Sequence, residues 1–399
     1  MRVSFFMPEY MKGFSCVGPN CTDTCCAGWD VNIDEATFNK YESSSDNLKA
    51  LVKDKYIRSN ILDDSFNYGF MIIGEENKCP FLNKNMLCDI HGSCGEDNLS
   101  ITCKRYPRVF NIVDDIYEKS GLPSCSEVCN KALLNKEKME FIELDEDLDE
   151  DAVEIRRMID SEAFSGTDSL LQYFWDIRIN SINIMQNRNF SIEERLNILK
   201  SFYTELEILR EEALSDTKDY YDIEILLENF ADDSMDFDPL KGESFVENTS
   251  FYNSILNDNI FDKVIGTRLK AYLGNLRKDI LNVEDDFSNI SCNTIAESNL
   301  NSSTKVSSRD FELSNYSYIF ENYLVNQIFK NIIPFNRGEN LSESIKILIN
   351  SYRIIKGYLL CSYEYSHEMI TENQIIKIIQ ALSKDTEHNK VFKFILENS

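Results

Sequence analysis

The sequence predicts a mainly α protein, with a small irregular cysteine-rich N-terminal unit packed on a C-terminal multi-helix bundle. Three observations predict it. Ten of the twelve cysteines lie between Cys16 and Cys129. From residue 153 onward, apolar residues recur at helical spacing behind capping residues. Between these regions lies an acid run, Glu143 to Asp151, with seven carboxylates in nine residues. The expected organisation is a cysteine-rich domain over 1–140, an acidic linker or loop over 141–152 and a helical domain over 153–399. With 399 residues, 43% of them apolar, the chain can bury a sizeable core.

The elements follow in order. Asp34 caps a short helix over "EATFNKYES", and Asn47 to Ile57 reads as a second, with Leu48, Leu51 and Val52 on one face. "FNYGFMIIG" holds a short strand ended by Gly74. "VFNIVDDIYEKSG" reads as a hairpin turning at Asp114 and Asp115. Thr167 and Asp168 precede the run "SLLQYFWDIRINSINIM". Ser191 and Glu194 make a capping box before a helix that lines up Leu196, Ile198, Leu199 and Phe202. "SYIFENYLVNQIFKNII" runs to Pro334, which ends it. Ser342 opens "ESIKILINSYRIIKGYLL", and Thr371 with Gln374 opens "IIKIIQALSKD". The Ser/Asn-rich stretch at about 285–308 lacks large apolar residues and reads as a loop.

Charge removes some partners. The net charge is −27, so no broad basic face is expected for nucleic acid or for an anionic membrane. A basic partner fits, including lysines presented by another protein. No run approaches the ~20 apolar residues of a membrane span. Pro8 and Glu9 break the first apolar run before a signal peptide forms. A cytoplasmic protein with reduced thiols is expected. Nothing in the sequence sets an oligomeric state.

The cysteines are too many for ordinary buried residues. In a reducing compartment they read as metal ligands rather than disulfides. "CTDTCC" brings Cys21, Cys25 and Cys26 onto one turn, "CPFLNKNMLC" offers Cys79 and Cys88, "CKRYPR" offers Cys103, and "CSEVC" offers Cys125 and Cys129. A nearly all-sulfur set suits an iron–sulfur cluster or Cys₄ zinc. The triplet C-x₃-C-x₂-C is absent, as are Walker, G-x-G-x-x-G and G-x-S-x-G motifs. Three histidines leave little room for histidine-based catalysis.

The order of these blocks resembles the N-terminal part of the flagellin lysine N-methyltransferases. The likeness covers about residues 1–130. It runs from Cys16-x-Gly18-x-x-Cys21-x-Asp23-Thr24-Cys25-Cys26-x-Gly28-Trp29 through Ile33-Asp34 and Cys79-Pro80-Phe81-Leu82. It continues with Leu87-Cys88-Asp89-Ile90, Leu99, Cys103 with Tyr106-Pro107-Arg108, and Cys125 with Glu127. The pattern is also similar to small cysteine-cluster proteins described as zinc- or iron-chelating. The resemblance implies methylation of flagellin lysines from S-adenosylmethionine. It also implies a metal centre, a 4Fe–4S cluster or zinc, among Cys16, Cys21, Cys25, Cys26, Cys79, Cys88, Cys103 and Cys125. Cys94 and Cys129 look like extras. The alternative is an iron- or zinc-binding protein, or an iron–sulfur redox protein, without methyltransferase activity.

Methylating a lysine needs its amine neutral, against an ordinary pKa of ~10.4. "RYPR" offers the candidates. Arg105 or Arg108 can grip a donor carboxylate, and Tyr106 can take a bond from the amine. The plainer reading pairs both arginines with nearby acids and leaves Tyr106 packed.

Overall fold

The structure is a computed structural model. It describes residues 2–45, 47–60, 64–74, 77–148, 153–215, 220–231, 249–281, 312–366 and 369–399.

The N-terminal third is built on strands. β1 (Arg2–Pro8) lies inside a five-stranded sheet. Three short strands, β2 (Asn32–Ile33), β3 (Tyr56–Arg58) and β4 (Gly69–Met71), form a second sheet in the order β2-β4-β3. β5 (Arg108–Val113) and β6 (Ile116–Gly121) make the expected hairpin. Asp114 and Asp115 both take positive φ at its tip, as a tight two-residue turn demands. β7 (Phe141–Asp147) and β8 (Ile155–Ile159) complete the larger sheet in the order β7-β1-β6-β5-β8. β1 runs parallel to β6 and antiparallel to β7.

Two expectations are corrected here. The N-terminal unit is a sheet-containing body, not an irregular one. Phe141–Asp147 is not a linker: all seven residues pair with β1, from Pro8↔Phe141 to Arg2↔Asp147. The reason is alternation. Glu143, Asp145 and Asp147 are exposed, while Ile142, Leu144 and Glu146 are half-buried. Glu146 meets Lys119 of β6. An acid on every second residue suits a strand with one wet face. The helical region also begins later than residue 153, because β8 belongs to the sheet. The second predicted helix stops at Val52, and Tyr56 onward is strand.

The rest of the described chain is helical, as expected, apart from a short strand, β9 (Asn336–Glu339). Asp34 caps Glu35–Ser43, accepting from Thr37 N at 2.8 Å. Both predicted capping boxes form, at Ser191/Glu194 and at Thr371/Gln374. Ser169, not Thr167, opens the turn leading into Phe174–Met185. Asn340, not Ser342, caps the short helix Leu341–Ser344 ahead of Lys346–Ser366. The loop expected at about 285–308 lies outside the described residues, as do residues 149–152 of the acid run.

Helix Ser317–Asn331 sits at the centre, with every side chain from Tyr318 to Lys330 buried. Its polar residues bind it to the sheet. Asn326 accepts from Tyr10 (2.5 Å) and donates to Gly121 O (3.2 Å). Asn322 donates to Asn135 O (2.8 Å). Three buried ion pairs surround the helix, one reaching the sheet and two joining helices. Arg178 holds Glu118 of β6, Arg195 holds Glu321, and Lys330 holds Glu387 at 2.8 Å. One apolar core therefore runs from Phe5 and Met7 of the sheet through Leu324 and Ile328 to Phe392 and Leu396. A second, smaller core gathers Trp29, Ile33, Tyr41, Phe81 and Ile90 with Cys79 and, at its edge, Cys26, Cys88, Cys94 and Cys103.

Candidate functional site: a thiol cluster roofed by a C-terminal helix

The small core gives the thiols their place. Its short strands and bridges fold "CTDTCCAGWD" back on "KCPFL". Cys79 N donates to Cys26 O at 2.8 Å, and Ala27 bridges Lys78. Gly28, at φ 85°, makes the turn between them. Leu82 and Cys88 bridge the second loop on itself. Ser100 caps the helix Ile101–Arg105 and brings Cys103 to the same side.

Several of the predicted ligands lie close enough there to affect one another's charge. The Cys25 and Cys26 sulfurs lie 3.9 Å apart. Cys25 is pushed up first by that contact and then by burial. For Cys26 the contact with Cys25 pulls down, but bonding to Cys79 and burial leave it raised. Burial lifts Cys103 to about 12, with Cys25 and Cys88 adding to the effect. Burial lifts Cys125 to about 12, with Cys21 and Cys25 contributing. Burial also raises Cys88, again with Cys25 among the causes. Cys21 contacts Ser126 Oγ at 3.1 Å. Seven thiols from four segments thus share one electrostatic neighbourhood.

Two further cysteines are placed elsewhere in function. Cys129 is fully buried and its thiol donates to Pro123 O at 2.9 Å, as a core residue. Cys16 is exposed, its sulfur accepting from Gly18 N at 3.4 Å.

The donor set itself supplies the test of fit for a metal. Thiols this crowded stay protonated, and only a bound cation makes their thiolates stable together. The residue types fit a thiophilic metal. Among the described residues, no group of three or more Cys, His, Asp or Glu is yet drawn into ligating geometry.

The roof comes from the far end of the chain. Helix Glu372–His388 lies across "CTDTCCAGW". Gln380 donates to Asp23 (3.0 Å) and to Ser124 O (3.2 Å). Lys384 donates to Thr24 O (3.1 Å), and its nitrogen is 3.6 Å from Asp23. The Lys384 stem crosses Gly28, where a Cβ would stand 3.5 Å from it. Lys384 also lowers Cys25, the one cation counted against that thiol's rise. Glu387 accepts from Ser124 N (3.3 Å). His388 stacks on Trp29 at 4.1 Å, and Trp29 stacks on Tyr106 at 5.8 Å. Trp29 Nε1 donates to Cys25 O at 2.7 Å.

A hydrogen-bonded row follows. Tyr106 donates to Ser124 Oγ (3.1 Å), which stands 3.3 Å from His388 Nε2. Burial depresses His388 to about 4, so its ring is neutral near pH 7. Burial likewise raises Tyr106. The arginines of "RYPR" are committed. Arg105 pairs with Glu154. Arg108 donates to Phe14 O (3.3 Å) over the Phe14 ring. Of the three candidates there, Tyr106 alone reaches the thiol site.

Sequence reading missed His388, Lys384 and Glu387. They stand more than 250 residues from Ser124 and Thr24. Only the capping box of their helix was a signal, and it locates a helix, not a site.

Comparison with known proteins follows the same division. Residues 178–398 match the family model described as the FliB lysine N-methylase C-terminal domain. The chain is 28% identical over 134 residues to a flagellar biosynthetic protein FliU of Salmonella muenchen, covering 33% of this chain and 78% of that protein. It is 28% identical over 138 residues to lysine-N-methylases of Salmonella typhimurium and Salmonella choleraesuis, covering 34% of this chain and 34% of each of them. The aligned part thus spans about a third of the lysine-N-methylases' length. No solved structure matches. The C-terminal match covers more than half of the 399 residues and includes the helix that roofs the thiols; this chain belongs to the FliB lysine N-methylase family.

Proposed function

We propose that this protein is a protein-lysine N-methyltransferase that takes the methyl group from S-adenosylmethionine. Its target is lysine ε-amines of flagellin, and it holds a thiolate-ligated metal centre, a 4Fe–4S cluster or zinc. The observation that carries the proposal is the junction itself. The helix that closes the thiol cluster lies within the part of the chain that defines the methylase family.

Cys21, Cys25, Cys26, Cys79, Cys88, Cys103 and Cys125 are the residues to hold the metal, with Cys16 the outlying candidate. Bound there, the metal supplies thiolate-stabilised positive charge, and as a cluster it supplies electron exchange. The chain's own residues do the rest. Trp29, Tyr106 and His388 wall off one side of the thiols and keep water from it. A lysine amine brought against such a surface loses hydration, which lowers its pKa towards the neutral, nucleophilic form. His388 is neutral near pH 7 and joined through Ser124 to Tyr106, so it holds or passes a proton without adding charge. Lys384 sets a fixed cation beside Cys25.

The experiment has two parts. Anaerobically purified protein is analysed for metal and for absorption at about 400 nm, the thiolate–iron signature. Flagellin from cells with and without the gene is then weighed intact. Steps of about 14 Da, one methylene per transfer, are expected only with the gene. Identical masses sink the methylase proposal. Cys25→Ser and Cys26→Ser are each expected to empty the metal site. Full metal content in both variants removes these two residues from the ligand set.

A further inference from the structure

A second charged site lies behind the thiol cluster. Arg156 of β8 and Lys330 of helix Ser317–Asn331 line a cavity of about 20 Å³ with Lys393 of the last helix, Lys390–Asn398. Gln327, Ser351 and Glu387 complete the wall used here. That space holds roughly one water molecule or one oxygen-bearing group. Glu387 borders both sites, because its other oxygen accepts from Ser124 N.

The charge count around this cavity does not balance. Three cations line it against one carboxylate, and that carboxylate is committed to Lys330 at 2.8 Å. Lys393 has Glu397 at 3.7 Å. Arg156, exposed at the rim, has no carboxylate within ion-pair distance among the described residues, and Glu387 attracts it from inside the cavity. Burial depresses Lys330 to about 8, with Arg156 and Lys393 adding to the fall. Burial lowers Lys393, Arg157 and Arg105, and Arg156 repels each of them. Such a knot of like charge is costly anywhere and is conspicuous in a chain of net charge −27. A planar guanidinium without a carboxylate partner among the described residues, at the rim of a cavity, is the group that grips a carboxylate or phosphate by two bonds.

We propose that this cavity binds a small oxyanion, the carboxylate or phosphate group of a low-molecular-weight ligand, on Arg156, Lys330 and Lys393. Binding adds the negative charge the site lacks and draws Arg156 inward over the mouth. The occupant reports to the thiol site through Glu387, which touches Lys330 on one side and Ser124 on the other.

Calorimetric titration of the full chain tests this. The probes are inorganic phosphate and S-adenosylhomocysteine, with methylthioadenosine as the analogue lacking a carboxylate. At least one oxyanion is expected to bind saturably. Arg156→Ala is expected to weaken it by about tenfold, and Lys393→Gln, the second variant, by several-fold. Lys12→Ala removes an exposed cation elsewhere and is expected to leave affinity unchanged. A response confined to S-adenosylhomocysteine marks a ligand-borne carboxylate, and a response to phosphate marks a free oxyanion. No saturable oxyanion binding, or equal affinity in Arg156→Ala and Lys12→Ala, overturns the proposal. The phosphate arm involves no methyl transfer, so its failure leaves the methylase reading standing, and the flagellin masses can fail without touching it.

Discussion

His388 shows how far one residue can be tuned by its surroundings. Its ring lies 4.1 Å from the Trp29 ring and near Tyr106, with Ser124 on Nε2. Burial lowers it from 6.5 to about 4; Glu387 opposes this, while Lys384, Lys330 and Arg156 reinforce it. Unfolded, the histidine takes up its proton at the ordinary value; folded, it resists until about pH 4. Its stabilising contribution is therefore whole above about pH 6.5 and is lost as pH falls to about 4. His388→Phe keeps the stack and removes the titration. Urea midpoints measured from pH 7 to pH 4 are expected to fall more steeply for wild type than for the variant. Parallel curves would show that His388 is not held neutral.

The hairpin and the roofing helix set two limits at the scale of elements. Asp114 is tied down at the turn, accepting from Ser161 N and Ser161 Oγ (both 2.6 Å) and from Trp175 Nε1 (2.7 Å). Asp115 is exposed at φ 63°. Asp115→Gly is expected to stabilise the fold by up to about 1 kcal/mol, read as a higher denaturation midpoint at unchanged slope. The roofing helix is held on by polar contacts from Gln380 and Lys384. The double variant Gln380→Ala/Lys384→Ala is expected to speed alkylation of the half-buried Cys26 severalfold, with the exposed Cys25 changing less and Cys129 staying protected. Unchanged alkylation would mean that the helix does not cover the thiols.

What could be read ahead of the structure divides along the same line. The hairpin, the caps and the cysteine grouping were legible because each is local, decided by residues a few positions apart. The strand Phe141–Asp147 was not. Its charge drew the eye from its alternation, and its partner is β1, more than 130 residues earlier. The thiol site was half legible. Its sulfurs announce themselves by number and spacing, whereas Gln380 meets Asp23 across 357 residues. No pattern in either segment encodes that meeting, because it is fixed by how helix Ser317–Asn331 seats the bundle on the sheet.

At the scale of the whole molecule, the charge of −27 works against compactness while the buried ion pairs work for it. Surface repulsion is screened by salt, over a Debye length of about 10 Å at 0.1 M, but the buried pairs hardly are. Thermal midpoints are thus expected to rise between about 0.02 and 0.2 M sodium chloride. A falling midpoint would show that exposed attractive pairs outweigh the net repulsion. Of the buried pairs, Glu118–Arg178 joins sheet to bundle, while Glu321–Arg195 and Lys330–Glu387 join helices of the bundle around the central helix. Breaking one leaves a buried charge alone, at a cost of about 3–5 kcal/mol.

The position of the roof in the chain also sets a clock. The sulfur-bearing loops, up to Cys129, leave the ribosome well ahead of helix Glu372–His388, which packs on them from far along the chain. Synthesis runs from the N-terminus at about 5–20 residues per second, so the thiols stand uncovered for tens of seconds in every newborn copy. During that interval anything that recognises sulfur, whether an oxidant or a scavenging ion, reaches all of these thiols, whereas in the folded protein Cys25 is exposed and Cys26, Cys88 and Cys103 are partly covered. The order of the elements along the chain thus opens the partly covered thiols most widely before helix Glu372–His388 docks.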